Sequence, residues 1–245
     1  MSARTAQGQV VSGQTYARIA GVLFLLSFVA GGFGEAYVPS RLIVSADPAA
    51  TAANFQAHVM LFRLSFAAYL IEAVCDVGLS LIFYVLLAPV RKDVSLLAAF
   101  FGLVGTAVYA ATELFYFAAS IILGGADYLK SFSPAQLNTV ALLSLKLFAY
   151  GGGLFLVFYG IATVLRGYLI FRSGYLPRLV GILLMLGGVG FILRDFALLL
   201  APSFPSSGLL LLIVPGGLSL GIWLLVRGVD APKWEAKTAT FDAVP

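Results

Sequence analysis

Over 245 residues the chain is 61% hydrophobic and only 11% charged, with a mean hydropathy of +1.01. Soluble domains carry about 25% charged residues, so this is the composition of an integral membrane protein. The formal charge of +4 does not point to nucleic acid, because the basic residues fall singly at the ends of apolar runs rather than on one face. One cysteine, Cys75, and one histidine, His58, leave no internal disulfide, no multi-histidine metal centre and no bis-histidine haem ligation, and no cofactor motif accompanies them.

A bilayer core needs about 20 helical residues per crossing, and the apolar runs divide into six such segments, at about 17–38, 63–90, 94–124, 136–171, 177–201 and 207–228. The expectation is an all-α integral membrane protein, a bundle of six transmembrane helices. Residues 1–15 would form a flexible cytoplasmic N-terminus, 16–228 the membrane domain and 229–245 a cytoplasmic tail. Between the first two segments, Asp47-Pro48 before Ala49-Ala-Thr-Ala-Ala-Asn54 reads as a capped, short surface helix. Ser133-Pro-Ala-Gln136 reads as a capping box that opens the fourth segment. Arg172-Ser-Gly-Tyr-Leu-Pro-Arg178 separates the fourth from the fifth. With both termini cytoplasmic, ten of the fifteen lysines and arginines fall inside, Arg4 and Arg166 among them, as the positive-inside rule requires. The location implied is a bacterial plasma membrane, with the lipid bilayer as partner.

Charges inside the segments carry the functional signal. A charge at the bilayer centre costs about 2.5–3.5 kcal/mol even on insertion scales, so such residues face the bundle interior. Glu35, Glu72, Asp76, Glu113, Lys146, Arg194 and Asp195 lie about 22–30 Å along their helices from the nearest cytoplasmic charge, in one layer of the outer half. Helical spacing aligns Ser65, Tyr69, Glu72, Asp76 and Ser80 on the second segment, and Thr106, Tyr109, Glu113, Tyr116 and Ser120 on the third. The fourth adds Thr139, Lys146, Tyr150 and Gly153. These stripes predict an outward-facing polar cavity whose ligand-binding residues are Glu72, Asp76, Glu113, Lys146, Asp195, Arg194, Glu35, Tyr69, Tyr109 and Tyr150. Its five acids outnumber Lys146 and Arg194, so the surplus is met by protons or by a bound cation. Three readings follow: a site that binds or moves a small solute or protons, buried charges that only hold the helices together, or an intramembrane enzyme that lacks any nucleophile or metal motif. Gly151-Gly-Gly153, Gly187-Gly-x-Gly190 and Gly216-Gly217 follow no strand and read as close helix packing rather than phosphate loops.

The order of Arg18-Ile-Ala-Gly21, the loop from Leu42 to Asn54, Leu61-Phe-Arg63, the Cys75-Asp76 helix and the run from Gly167 to Arg178 resembles the bacterial membrane-protein family catalogued as domain of unknown function 4386. The resemblance covers about residues 16–228. It implies a multi-span bacterial membrane protein and carries no activity or catalytic residues to transfer.

Overall fold

The computed structural model describes residues 12–201, 203 and 206–242. Its elements are helical throughout. The first apolar segment forms α1 (Gly13–Gly31), a π-helical turn (Gly32–Tyr37) and α2 (Val38–Leu42) as one continuous rod. The short α3 (Pro48–Ala57) leads into α4 (Val59–Leu87), which is followed by α5 (Lys92–Ile122), α6 (Pro134–Ser173), α7 (Arg178–Leu200), α8 (Ile213–Val226) and α9 (Ala231–Asp242).

Local chemistry sets these ends. Asp47 Oδ1 accepts from Ala50 N–H at 2.9 Å to start α3. Ser133 and Gln136 form the expected reciprocal capping box of α6, at 3.4 and 2.8 Å. Gly174 ends α6 in the left-handed conformation at φ 76°, which a side chain would disfavour. α1 starts at Gly13 under a Ser12 cap, so residues 13–15, expected in a flexible segment, are helical. The remainder of that segment, residues 1–11 including Arg4, lies outside the described residues, as do 243–245 of the expected tail. The tail itself contains α9, pinned by the buried Trp234, whose indole N–H donates to the Leu86 carbonyl at 3.2 Å.

Among the described residues, five helices are long and apolar enough to cross a membrane: the Gly13–Leu42 rod, α4, α5, α6 and α7. The sixth expected span is divided between a 3-10 segment, Ser206–Leu212, and α8 of 14 residues. Side chains such as Val74, Leu114, Leu154 and Leu186 stand exposed around the outside, the surface a lipid environment covers. In cross-section α1, α4, α5, α6, α7 and α8 form a ring, each packed on the next and α8 closing it on α1. Gln14 bonds both the Arg227 carbonyl and the Val229 N–H, at 3.0 Å each, so the start of α1 and the end of α8 share one end of the bundle. Two apolar clusters fill the ring. One, at this terminal end, includes Leu86, Leu169, Leu224 and Trp234; the other, at the far end, includes Phe62, Tyr69, Tyr116 and Phe148.

Between α6 and α7 the backbones come into contact, because glycines pair in antiparallel register. A Cβ at Gly160 or Gly188 would sit 2.8 or 2.6 Å from the other's carbonyl oxygen, and Gly167 and Gly181 repeat the relation at 2.7 and 2.6 Å. Backbone cannot yield as a side chain can, so Gly188→Ala should lower the thermal midpoint in detergent despite alanine's helix-propensity advantage of about 1 kcal/mol. Gly152 has open space at its Cβ position, and Gly152→Ala should leave the midpoint unchanged or raise it. Equal behaviour of the two variants would contradict this packing.

Candidate functional site

The side chains that follow the helical period on α4 form a ladder of polar contacts, its rungs met by three neighbouring helices. Ser80 Oγ accepts from the Arg166 guanidinium of α6 at 3.2 Å. One turn on, Asp76 Oδ1 accepts from Ser27 of α1 at 3.0 Å. At the next level, Glu72 Oε2 accepts from the Tyr109 hydroxyl of α5 at 3.3 Å, and Glu35 lies near both Glu72 and Tyr109. The next two, Tyr69 and Ser65, both donate to the Gly34 carbonyl, at 2.6 and 3.2 Å, and Tyr116 donates to Ser65 at 3.0 Å.

That carbonyl is free for a reason written in the chain. In the π-helical turn the Val38 N–H reaches back to Phe33, five residues earlier, and the group that would serve Gly34 belongs to Pro39, which has no N–H. The tyrosine and serine of α4 replace the missing donor. The same turn projects Glu35 towards the ring interior. Glycine again makes room: Cβ atoms at Gly34 and Gly31 would stand 3.0 Å from the Tyr69 ring and 2.8 Å from Glu72 Oε1.

A cavity of about 220 Å³ lies inside the ring, between the two apolar clusters. Glu35, Glu72 and Ser27 line it towards one side and Arg166 at the other, while its walls are mostly apolar and include the rings of Phe24, Phe28, Phe155 and Phe191. Arg166 is 6% exposed. Its guanidinium sits where Gly102 and Ser80 leave space on α5 and α4, and it lies over the rings of Phe83 and Tyr159 at 5.3 and 6.0 Å. Asp76 is the carboxylate whose charge faces it.

The structure therefore brings Glu35, Glu72, Asp76 and Tyr109 together and separates others. Tyr69 is fully buried in the far-end cluster, edge-on to Tyr116 at 5.0 Å. Glu113 is buried near Glu35 and Glu72 with Oε1 unbonded. Asp195 is buried beside Gly153, takes the Arg194 guanidinium at 2.6 Å on Oδ1 and leaves Oδ2 unbonded. Lys146, Tyr150 and Thr139 are exposed, away from the cavity lining. Arg166, counted from the sequence as a cytoplasmic charge, is instead an interior cation, because α6 continues two turns past it to Ser173. Ser27 and Tyr159 gave no signal of their own in the sequence. The far side is also unlike the expectation of an outward-facing cavity: Phe62, Tyr69, Tyr116 and Phe148 fill the ring there.

The model of the family described as Domain of unknown function (DUF4386) matches residues 19–228. The chain belongs to that family. The DUF4386 match runs from α1 through α8 and stops before α9. An uncharacterized protein of Archaeoglobus fulgidus is 27% identical over 120 residues, which cover 49% of this chain and 58% of that protein. No solved structure matches the chain.

The arrangement separates two kinds of polar residue by their stability cost. Tyr69→Phe removes one of two donors to a buried carbonyl and should destabilise by about 1–2 kcal/mol. Lys146→Ala and Tyr150→Ala touch neither ladder nor cavity and should stay within about 0.5 kcal/mol of wild type. Denaturation of the purified variants checks both, and a large loss from Lys146→Ala would contradict the placement of that side chain.

Proposed function

We propose that this DUF4386 member is a multi-pass protein of a bacterial plasma membrane whose cavity within the helix ring binds a small solute, with Glu35 and Glu72 as the binding charges and Asp76 facing Arg166 beside them. One observation carries the reading: two carboxylates line a void among apolar walls, and no basic side chain within 4 Å pairs with either among the described residues. Buried charges that serve packing alone are held in direct pairs, since an unpaired charge is costly there. Protons are the alternative occupant of the same carboxylates, and movement of either across the membrane is a further step of the same hypothesis.

Six crossings are supported by length. α8 supplies about 21 Å and the preceding 3-10 segment about 14 Å, together enough for a hydrocarbon core of about 30 Å. The shared end of α1 and α8 supports an even number of crossings, and the basic residues at that end favour its being cytoplasmic. Residues 16–228 then form the membrane domain, and α9 lies on the cytoplasmic side.

A second reading applies to a different part of the molecule. The hydroxyls of Ser65, Tyr69 and Tyr116 close on one another and on Gly34 in a dry aromatic cluster, so that set acts as glue. An intramembrane enzyme has no comparable support.

The test is a thermal-shift panel of small organic cations, anions and zwitterions on the detergent-purified protein. A ligand at 100 times its Kd adds about 2.7 kcal/mol, or about 5–10 °C for a chain of this size. At least one class should produce such a shift in wild type and little in Glu72→Gln, whose own midpoint should stay close to wild type. A panel with no shift, or one unchanged by Glu72→Gln, would count against the cavity as a binding site.

A further inference from the structure

We propose that the cavity's ligand is a small organic ammonium ion, held between the carboxylates of Glu35 and Glu72 and the faces of the neighbouring phenylalanines. The inference rests on the solute-binding reading and names the class of solute.

Charge excludes most alternatives. Among the described residues, Arg166 lines the cavity and Arg194 is the cation whose charge reaches Glu35, and both are engaged. Arg194 is in contact with Asp195 at 2.6 Å. Arg166 is bonded to Ser80, lies over Phe83 and Tyr159 and faces Asp76. Glu35 and Glu72 remain as neighbours with no basic nitrogen within 4 Å among the described residues, Glu35 feeling only the more distant charge of Arg194, and Glu113, 2% exposed with Oε1 unbonded, adds a third acid within their reach. Arg166 stands at the level of Ser80, two turns or about 12 Å along α4 from Glu72, so its repulsion of a cation there is weaker than the attraction of two adjacent carboxylates.

The walls decide which cation. An inorganic ion strips its water only where several ligands converge at bonding distance, and among the described residues no three acidic, histidine or cysteine side chains stand close enough together to hold a metal ion. Phe24, Phe28, Phe155 and Phe191 instead present aromatic surface, which attracts alkylated ammonium groups that carry their charge on a weakly hydrated, apolar shell. A volume of about 220 Å³ suits a compact head group rather than a long chain.

The fold also supplies a way in. Leu225 lies against Gly21, and Gly217 against Phe24 and Phe28, so α8 runs antiparallel to α1 and begins at about the level of Gly31 and Gly32. Beyond that level the π-helical turn stands with Glu35 and Gly32 exposed, and a Cβ at Gly32 would meet nothing within 4 Å. Among the described residues, the carboxylates therefore lie on the side of the cavity where the ring's lining is exposed.

Three probes share one bulky head and differ in charge: choline, its neutral carbon analogue 3,3-dimethylbutan-1-ol, and 3,3-dimethylbutanoate. Calorimetric titration of the purified full chain should give choline at least tenfold tighter binding than the alcohol and no measurable binding of the carboxylate. Glu72→Gln should weaken choline at least tenfold, and Glu35→Gln, which keeps the shape of a side chain lining the cavity, should do the same if the first variant fails to fold. Equal binding of choline and the alcohol would overturn the cation assignment and leave an apolar binding cavity. Tighter binding of the carboxylate would transfer the site to Arg166. If none of the three binds while the wider panel yields a ligand, the ammonium class fails and the cavity reading stands; if the panel is also silent, both fail.

Discussion

A carboxylate in the middle of a bilayer-length helix has to find a donor, a cation or a proton, and the helices around α4 are arranged by that requirement. The rungs of its polar face are met in turn by its neighbours: α6 at Ser80, α1 at Asp76, α5 at Glu72, and the π-helical turn that continues α1 at Tyr69 and Ser65. Hydrophobicity cannot specify which helix stands beside which in a membrane, since lipid is as apolar as leucine. Directional polar contacts from one helix to three others can. The turn at Gly32–Tyr37 belongs to the same logic, because Pro39 denies Gly34 a backbone partner and α4 provides it.

Glycine does the complementary work of admitting these groups. On α6, Gly151 faces Thr112 of α5 while Gly153 receives Asp195 of α7, so one short run opens both flanks of the helix. Gly102 performs this service for Arg166 and Gly31 for Glu72. The glycine pairs between α6 and α7 bring two backbones together and thereby fix the wall on which Tyr159, Arg166 and Phe191 stand. Packing and site are thus the same set of close approaches, used once for cohesion and once to leave a space with charges facing it.

Much of this was legible in the sequence, and the exceptions have physical causes. The polar period of α4, the Asp47 cap and the Ser133–Gln136 box rest on local rules and appear as read. α6 was harder, since its apolar residues run all round it and a polar stripe on such a helix does not name the interior face; Lys146 and Tyr150 consequently read as interior and stand exposed. Arg166 presented the converse problem. An arginine two turns from a helix end reads as interfacial, because long side chains snorkel outward. Only the space left by Gly102, on a different helix, shows that it turns inward. The closure of the far end by aromatic rings was hidden for a similar reason: the tyrosines were read by their hydroxyls, and their rings decide where they pack.

The central claim is that Glu35 and Glu72 face an interior space whose charge the protein's own cations do not balance. A density map recorded from the protein in lipid nanodiscs tests it most directly. The account predicts non-protein density against Glu72 and Glu35, flanked by Phe24 and Phe28, with Arg166 still on Ser80. A ring closed over that space by side chains, with Arg166 or Arg194 paired directly to Glu72, would contradict it.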